Sequence, residues 1–478
     1  MSTAAWSSFA PLAEREMLVG LRKRRTAITQ FITLVITSIA AVGVAAANHA
    51  FSDVLKQGPD PFGREMFVAV LTALSGLLIL TAPALTATSI SEERERRTLD
   101  LLLCTRLRPG DIVLGKFTSG MVQGLMVVAA SVPAACFSWL YGGVALWHLV
   151  VAYAAVALLL AMLLAAGLFG SARATLSKAA ISSTYGVNLA LMLPIGLPAL
   201  GGIGVAYATG KAPMEVAASL ALGSVVMLWC TSAALLASVT GISPASHDPA
   251  PAARKNLLFI VTTGMLAAGL VGGLESTNLT QLTVSLLLAL AFVLTVASLI
   301  FATEDPPVRT DVAASVLWRG NPLVGVLFYV GATVVAATAV PSLALRNLDV
   351  KPVTMSGCMA LVPFFASCAG VASLTRLLPI RRGLRQGVAL AGLMFVLFIP
   401  PVLAFITGHQ NLTAAPSFML LWLHPGVMLD QASPSTVSPT PGPFGLSIPT
   451  AFMLGHLAIA AVTLVMSQRF GTRSPRAE

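Results

Sequence analysis

The densest set of side chains able to do chemistry lies in one stretch, Ser91-Glu92-Glu93-Arg94-Glu95-Arg96-Arg97-Thr98-Leu99-Asp100-Leu101-Leu102-Leu103-Cys104-Thr105-Arg106-Leu107-Arg108-Pro109-Gly110-Asp111, running on to Lys116. Its acids and bases are spaced for pairing, not for proton transfer. Glu92 and Arg96, and Glu93 and Arg97, stand four apart with the acid first, the favourable order on a helix. Leu99, Leu102 and Leu103 recur at helical spacing and give that helix an apolar stripe. Pro109-Gly110 predicts a turn, after which Asp111 caps the next helix. The expected element is a stiff lever over 92–108, charged and leucine-striped, on which a soluble partner docks. Read without a partner, it is a solvated helix whose arginines touch lipid headgroups. Gly110 to Lys116 also matches G-x-x-x-x-G-K, the start of a phosphate-binding loop. Phe117 occupies the place of the magnesium-binding Ser or Thr and no buried strand precedes, so the match reads as a helix start.

Other chemistry is sparse. No H-E-x-x-H occurs, and the six histidines (His49, His148, His247, His409, His424, His456) pair with no acid at metal-ligand spacing. The five cysteines (Cys104, Cys136, Cys230, Cys358, Cys368) form no CxxC and read as small buried hydrophobes. No catalytic residue, metal site or cofactor is expected in this chain. Of the 19 carboxylates, those nearest the apolar runs are Glu65, Glu215, Glu275 and Asp430, all at edges or in loops. Gln123, Asn188 and His456 are the polar candidates inside the runs, and each reads as an interhelical hydrogen bond. Ion-coupled carriers usually need an ionisable group deep in the membrane.

These residues must be positioned by a chain of 478 residues with 56% hydrophobic and 10% charged residues and a mean hydropathy of +0.86. That composition leaves too little polar surface for a soluble globule and too much apolar mass for disorder. A helix crossing about 30 Å of hydrocarbon needs about 20 apolar residues. Runs of that kind lie near 27–47, 66–90, 117–141, 148–170, 179–207, 216–240, 257–274, 281–303, 323–344, 353–375, 387–407 and 447–467. The fold class is therefore an all-α polytopic transmembrane bundle of about 12 spans. The run at 179–207, with Pro194, Pro198 and Gly201-Gly202, reads as bent or broken. With both termini in the cytoplasm, all 29 Lys and Arg except Lys56, Arg64, Lys211, Arg346 and Lys351 fall inside, the Lys/Arg bias of cytoplasmic loops. The net charge of +10 then reflects orientation and contact with anionic lipid, not nucleic acid. No cleavable signal peptide is expected at the first run. Outside, 48–64 is a turn-rich cap. The loop 408–446 joins an apolar piece, re-entrant or plain, to a Pro/Ser-rich tract.

At the loop 91–116 the chain resembles permease subunits of ABC-2 type ABC transporters, whose pattern after span two runs roughly ERExGTLExLLxTPLxxxEILxGK. Glu93-Arg94-Glu95, Thr98-Leu99-Asp100, Leu102-Leu103, Thr105, Leu107, Asp111-Ile112 and Gly115-Lys116 fall in matching places. Arg97 stands where the family has Gly, and Arg106 where it has Pro. Residues 13–25 are similar to the family's basic connecting helix, giving a cytoplasmic segment 1–26. The resemblance covers about 10–240 and implies a permease core of six spans over 27–240. Residues 241–478 form a second six-span region. Taken as a fused permease half, this region puts loop 304–321 where a second coupling loop belongs.

What the resemblance implies is a non-enzymatic transport subunit in a bacterial plasma (inner) membrane, exporting, coupled to a separate ABC ATPase that holds ATP and Mg. A second permease unit completes the path unless the two halves are a fused pair. The ATPase-coupling residues it implies are Glu93, Arg94, Glu95, Arg96, Arg97, Thr98, Leu99, Leu102, Leu103, Arg106 and Arg108. The alternatives are an ion-coupled secondary transporter and a polymer or lipid flippase working without an ATPase.

Overall fold

The computed structural model describes residues 14–18, 24–51, 62–105, 107–141, 144, 146–191, 213–243, 250–272, 322–344, 364, 366–368 and 448–471. Among these the regular structure is all helical, with no strand. The expected spans at 281–303 and 387–407, most of 353–375, the part of the 179–207 run from 192 on with Pro194, Pro198 and Gly201-Gly202, most of the loop 48–64, the loops 304–321 and 408–446, and Arg106 lie outside the described residues. The chain divides into two compact units, Met1–Ser243 and Pro244–Glu478.

In the first unit α1 covers 14–18. It is followed by α2 (Arg24–Phe51), α3 (Phe62–Thr86), α4 (Ser91–Glu95), α5 (Leu99–Leu103), α6 (Pro109–Ala129), α7 (Val132–Leu140), α8 (Leu146–Arg173), α9 (Ser177–Leu191) and α10 (Pro213–Ile242). Among the described residues five segments are long and apolar enough to cross a membrane: Thr26–Val44, Gly63–Glu95, Pro109–Leu140, His148–Arg173 and Gly223–Ile242. The second of these has 33 residues. Its helix α3 alone, 25 residues at 1.5 Å each, is about 38 Å long and already exceeds the hydrocarbon thickness, and the charged α4 follows beyond its end.

Helix α8 is the post around which the others pack. Leu159, Leu160, Met162, Leu163, Leu164, Ala165 and Ala166 are all fully buried. A helix apolar on every side must be surrounded. Its neighbours α3, α6, α9 and α10 come close because small residues face them. A Cβ on Gly124 of α6 would meet Leu160, and one on Gly167 would collide with Thr86 of α3. Thr86 donates its hydroxyl to the Leu164 carbonyl at 3.0 Å, and Thr184 of α9 donates to Gly167 O at 3.3 Å. Such close approach of small residues, with hydroxyl-to-backbone bonds across it, is how helices associate where water cannot drive them together.

The ends of this unit are distinct. One apolar cluster joins Ala41, Met66, Phe67, Val70, Ala134, Ala135, Val144 and Ala152. The other joins Ile90, Leu99, Ile112, Val113, Leu168, Ala172 and Ile242. The starts of α3 and α8 therefore share one end of the bundle. The finish of α3, the segment 90–113, and the finishes of α8 and α10 share the other. That arrangement requires α3, α8 and α10 to run in the same direction, with α6 opposed.

The second unit contains α11 (Ala250–Gly272), α12 (Pro322–Ala344) and α13 (Ile448–Gly471). Helices α11 and α12 pack together, with the buried Arg254 guanidinium 5.9 Å from the Phe328 ring. His456 of α13 forms a 2.7 Å hydrogen bond through Nδ1 with Ser367 Oγ, as expected of a polar bridge between segments. Gln123 and Asn188 differ from expectation. Their amides donate to Ser119 Oγ and Thr184 O one turn back in their own helices.

Candidate functional site

The segment 92–108 is not one lever. Helix α4 ends after Glu95, and Arg97 adopts φ 56°. Arg97 N–H donates to Arg94 O at 3.1 Å, and Thr98 N–H donates to Glu93 O at 2.9 Å. This pair of bonds closing a left-handed residue is the Schellman motif, which strongly favours glycine at the position Arg97 holds. A side chain there costs roughly 1–2 kcal/mol. The chain restarts as α5, turns at Cys104-Thr105, where Thr105 Oγ1 donates to Leu102 O at 2.6 Å, and enters α6. Pro109-Gly110 is not a turn. Pro109 opens α6, where its missing N–H loses nothing. Asp111, two residues on, accepts from the Arg108 N–H at 3.1 Å and supports the helix start. The G-x-x-x-x-G-K match is thus helical throughout.

The predicted site residues divide by direction. Glu92 and Arg96 form the expected i,i+4 pair at 2.6 Å on the surface. Glu93 does not reach Arg97, because the backbone leaves the helix between them. It pairs with Lys116 at 2.8 Å. Lys116 lies within α6, not in a loop, and its side chain is only 4% exposed. Glu16 of α1 stands 3.6 Å from the same ammonium. Arg94 donates to the carbonyls of Ala174 at 2.6 Å and Ala172 at 2.8 Å, oxygens the end of α8 leaves open. Glu95 accepts from the Ser177 N–H at 2.6 Å and hydroxyl at 2.8 Å, at the first turn of α9. The Ser177 amide, and then its hydroxyl, hold the Glu95 carboxyl below the usual carboxylate range, so it stays ionised at neutral pH.

Ser171 was silent in the sequence yet carries the same task. Its Oγ accepts from the N–H groups of Ile90 at 2.9 Å and Ser91 at 3.0 Å, the open donors at the start of α4. Only the pattern of small residues along α8 could have hinted at it.

Of the stripe, Leu99 is 5% exposed and packs into the chain's own cluster with Ile90, Ile112, Val113, Leu168, Ala172 and Ile242, with Leu102, Leu103 and Leu107 laid against its edge. The outward face is made by Glu92, Arg96, Arg97, Thr98, Asp100, Leu101, Cys104, Thr105 and Arg108. Leu101, at 69% exposure, is its prominent apolar residue and was missed by a stripe counted along one continuous helix. No group of His, Cys, Asp and Glu among the described residues could hold a metal. What the arrangement offers is mechanical. A small charged cap with one apolar tooth is tied by buried and backbone-directed bonds to α6, α8 and α9.

A family model described as ABC-2 family transporter protein matches residues 10–306, well over half of the chain and past the stretch 10–240 covered by the loop resemblance. No curated protein matches the chain, and no solved structure does.

Two expected outcomes test the geometry. Arg97→Gly relieves the left-handed residue and raises unfolding stability by about 1 kcal/mol in chemical denaturation of the detergent-solubilised protein. Lys116→Met strands the partly buried Glu93 carboxylate and lowers stability by about 2–3 kcal/mol, whereas the Lys116→Met/Glu93→Leu double variant recovers most of that loss.

Proposed function

This chain belongs to the ABC-2 transporter family, and from that premise we propose that it is the membrane permease subunit of an ATP-driven transporter, worked through the cap at 91–108 by a separate ATPase subunit. The observation carrying this reading is the two-sidedness of the cap. Its inward residues bind it to three helices. Its outward face exposes Leu101 amid Glu92, Arg96, Arg97 and Asp100. A soluble engine needs such a part: a surface it can grip by charge and apolar contact, attached stiffly enough to move spans.

In this reading ATP and Mg sit on the partner, where hydrolysis takes place. Nucleotide-driven closure of two ATPase subunits draws the cap. The pull passes through Ser171 and Arg94 to α8, through Glu95 to α9, and through the Glu93–Lys116 pair to α6. Glu93, Arg94, Glu95, Leu99, Leu102 and Leu103 act in coupling as the mount, and Arg96, Arg97, Thr98 and Arg108 as the grip. The cap end carries Arg15, Arg24, Arg94, Arg96, Arg97, Arg108 and Lys178, which supports placing it and the N-terminus in the cytoplasm of a bacterial plasma membrane; the reading of about 12 spans from the apolar runs then puts the C-terminus on the same side. Export, and assembly with a second permease unit, follow from the family's usual working. The lack of a mid-span carboxylate in the sequence favours this engine over an ion-coupled carrier.

Affinity purification of the full chain from its native membrane tests the proposal. An ATPase subunit is expected to co-purify. Leu101→Asp is expected to weaken its retention at least about tenfold, the loss of 1.4 kcal/mol or more of contact free energy, with the fold intact. Equal retention by wild type and Leu101→Asp would remove the cap from the interface. Transport by the chain alone on an ion gradient would remove the ATPase reading.

A further inference from the structure

Arg173, the last residue of α8, has no role in the coupling contacts, and its surroundings are unusual for a cation. Its guanidinium carbon lies 4.4 Å from the centroid of the Phe169 ring one turn earlier. Its Nε is shielded from solvent and has no acceptor. The acceptors nearest in the chain are taken. Arg94 holds the carbonyls of Ala172 and Ala174 on either side. Four carboxylates of this end are engaged elsewhere: Glu92 by Arg96, Glu93 by Lys116, Glu95 by Ser177 and Asp111 by the Arg108 amide; neither Asp100 nor Glu14 forms an ion pair with Arg173. The ring fixes the plane of the guanidinium by cation–π contact, so its fork of N–H donors is oriented before any ligand arrives.

Depth says where an acceptor would come from. The segment His148–Arg173 has 26 residues. That is about 39 Å of helix against about 30 Å of hydrocarbon, so its final residue reaches the headgroup layer. We propose that Arg173, stacked on Phe169, is a phosphate-oxygen site at the cap end of the bundle, taking the headgroup phosphate of an anionic phospholipid or a free phosphate of the same chemistry. A guanidinium fork matches two phosphate oxygens, and burial of its Nε edge strengthens the bonds made. Occupancy would satisfy the guanidinium and brace the end of α8 beside the residues that hold α4. The inference is independent of the ATPase reading, since it concerns the lipid-level end of α8 and not the exposed cap.

The test uses the full-length protein in two arms. In the first, protein reconstituted in nanodiscs containing phosphatidylglycerol and phosphatidylcholine is released, and retained phosphatidylglycerol is counted by native mass spectrometry. In the second, inorganic phosphate is titrated against lipid-depleted protein in detergent, with thermal unfolding as readout. Wild type is expected to retain phosphatidylglycerol, Arg173→Gln about tenfold less, and Arg173→Lys an intermediate amount, because the charge survives without the fork. Arg24→Gln, at an exposed arginine of the same end, is expected to match wild type. Protection by inorganic phosphate that depends on Arg173, without selective phosphatidylglycerol retention, upholds the site with free phosphate as its ligand. Equal behaviour of wild type and folded Arg173→Gln in both arms overturns it. If Arg173→Gln fails to fold, Phe169→Leu carries the test: reduced retention upholds the site, and unchanged retention overturns it.

Discussion

A buried ammonium needs a counter-charge, and Lys116 meets that need across three elements. Leaving either charge alone in a low-dielectric interior costs several kcal/mol, so the Glu93 carboxylate must stay beside it whenever the bundle is folded. Glu93 lies on α4, Lys116 on α6, and Glu16 on the short helix before the first span. This pairing fixes where α4 can sit, and so fixes the direction in which the chain leaves α4. The left-handed turn at Arg97, closed by its own backbone bonds, then carries the chain on to α5 and the exposed Leu101. The neighbouring contacts act in the same sense. Arg94 and Glu95 reach opposite partners on either side of the α8–α9 corner, a cation on open carbonyls and an anion on open amides, each in the favourable sense for a helix end.

The result is a part with two faces and two kinds of residue. On the inner face almost every polar group is committed to the bundle, and Leu99 completes an apolar cluster with Ile90, Ile112, Val113 and Ala172. On the outer face the charges are exposed to solvent, where an ion pair such as Glu92–Arg96 contributes little to stability; under the proposed coupling this is the face a partner would grip. Rigidity resides in the mount and adaptability in the grip. Gly124 and Gly167 admit close neighbours to α8, so the element that carries Ser171 and Arg173 is itself tightly packed.

Much of this was legible from residue types. The apolar runs located every long described helix, the Glu92–Arg96 spacing gave a real pair, and Phe117 correctly dismissed the phosphate-loop match. The break at Arg97 was harder to read. Local propensity favours continuing the helix through arginine, and only the family's glycine at that place hints that the backbone turns left-handed. A helical phase carried unbroken through Arg97 puts Leu99, Leu102 and Leu103 on one stripe and passes over Leu101, which the break leaves exposed. By position Lys116 reads as one more loop charge, since burial of a lysine depends on a tertiary contact with Glu93 twenty-three positions away. Ser171 and Ser177 gave no signal, because a serine on an apolar helix has many satisfactory settings and the sequence does not say which N–H groups or carboxylates will come to it.

The central claim is that the cap at 91–108 faces the cytoplasm and is covered there by an ATPase. Cys104, exposed on the outer face, reports on it directly. In a chain carrying Cys136→Ser, Cys230→Ser, Cys358→Ser and Cys368→Ser, a membrane-impermeant maleimide is applied to intact cells and to inverted membrane vesicles, with and without the co-purifying ATPase. The account predicts no labelling of intact cells, strong labelling of inverted vesicles, and loss of that labelling when the ATPase is bound. Labelling of Cys104 in intact cells would contradict it.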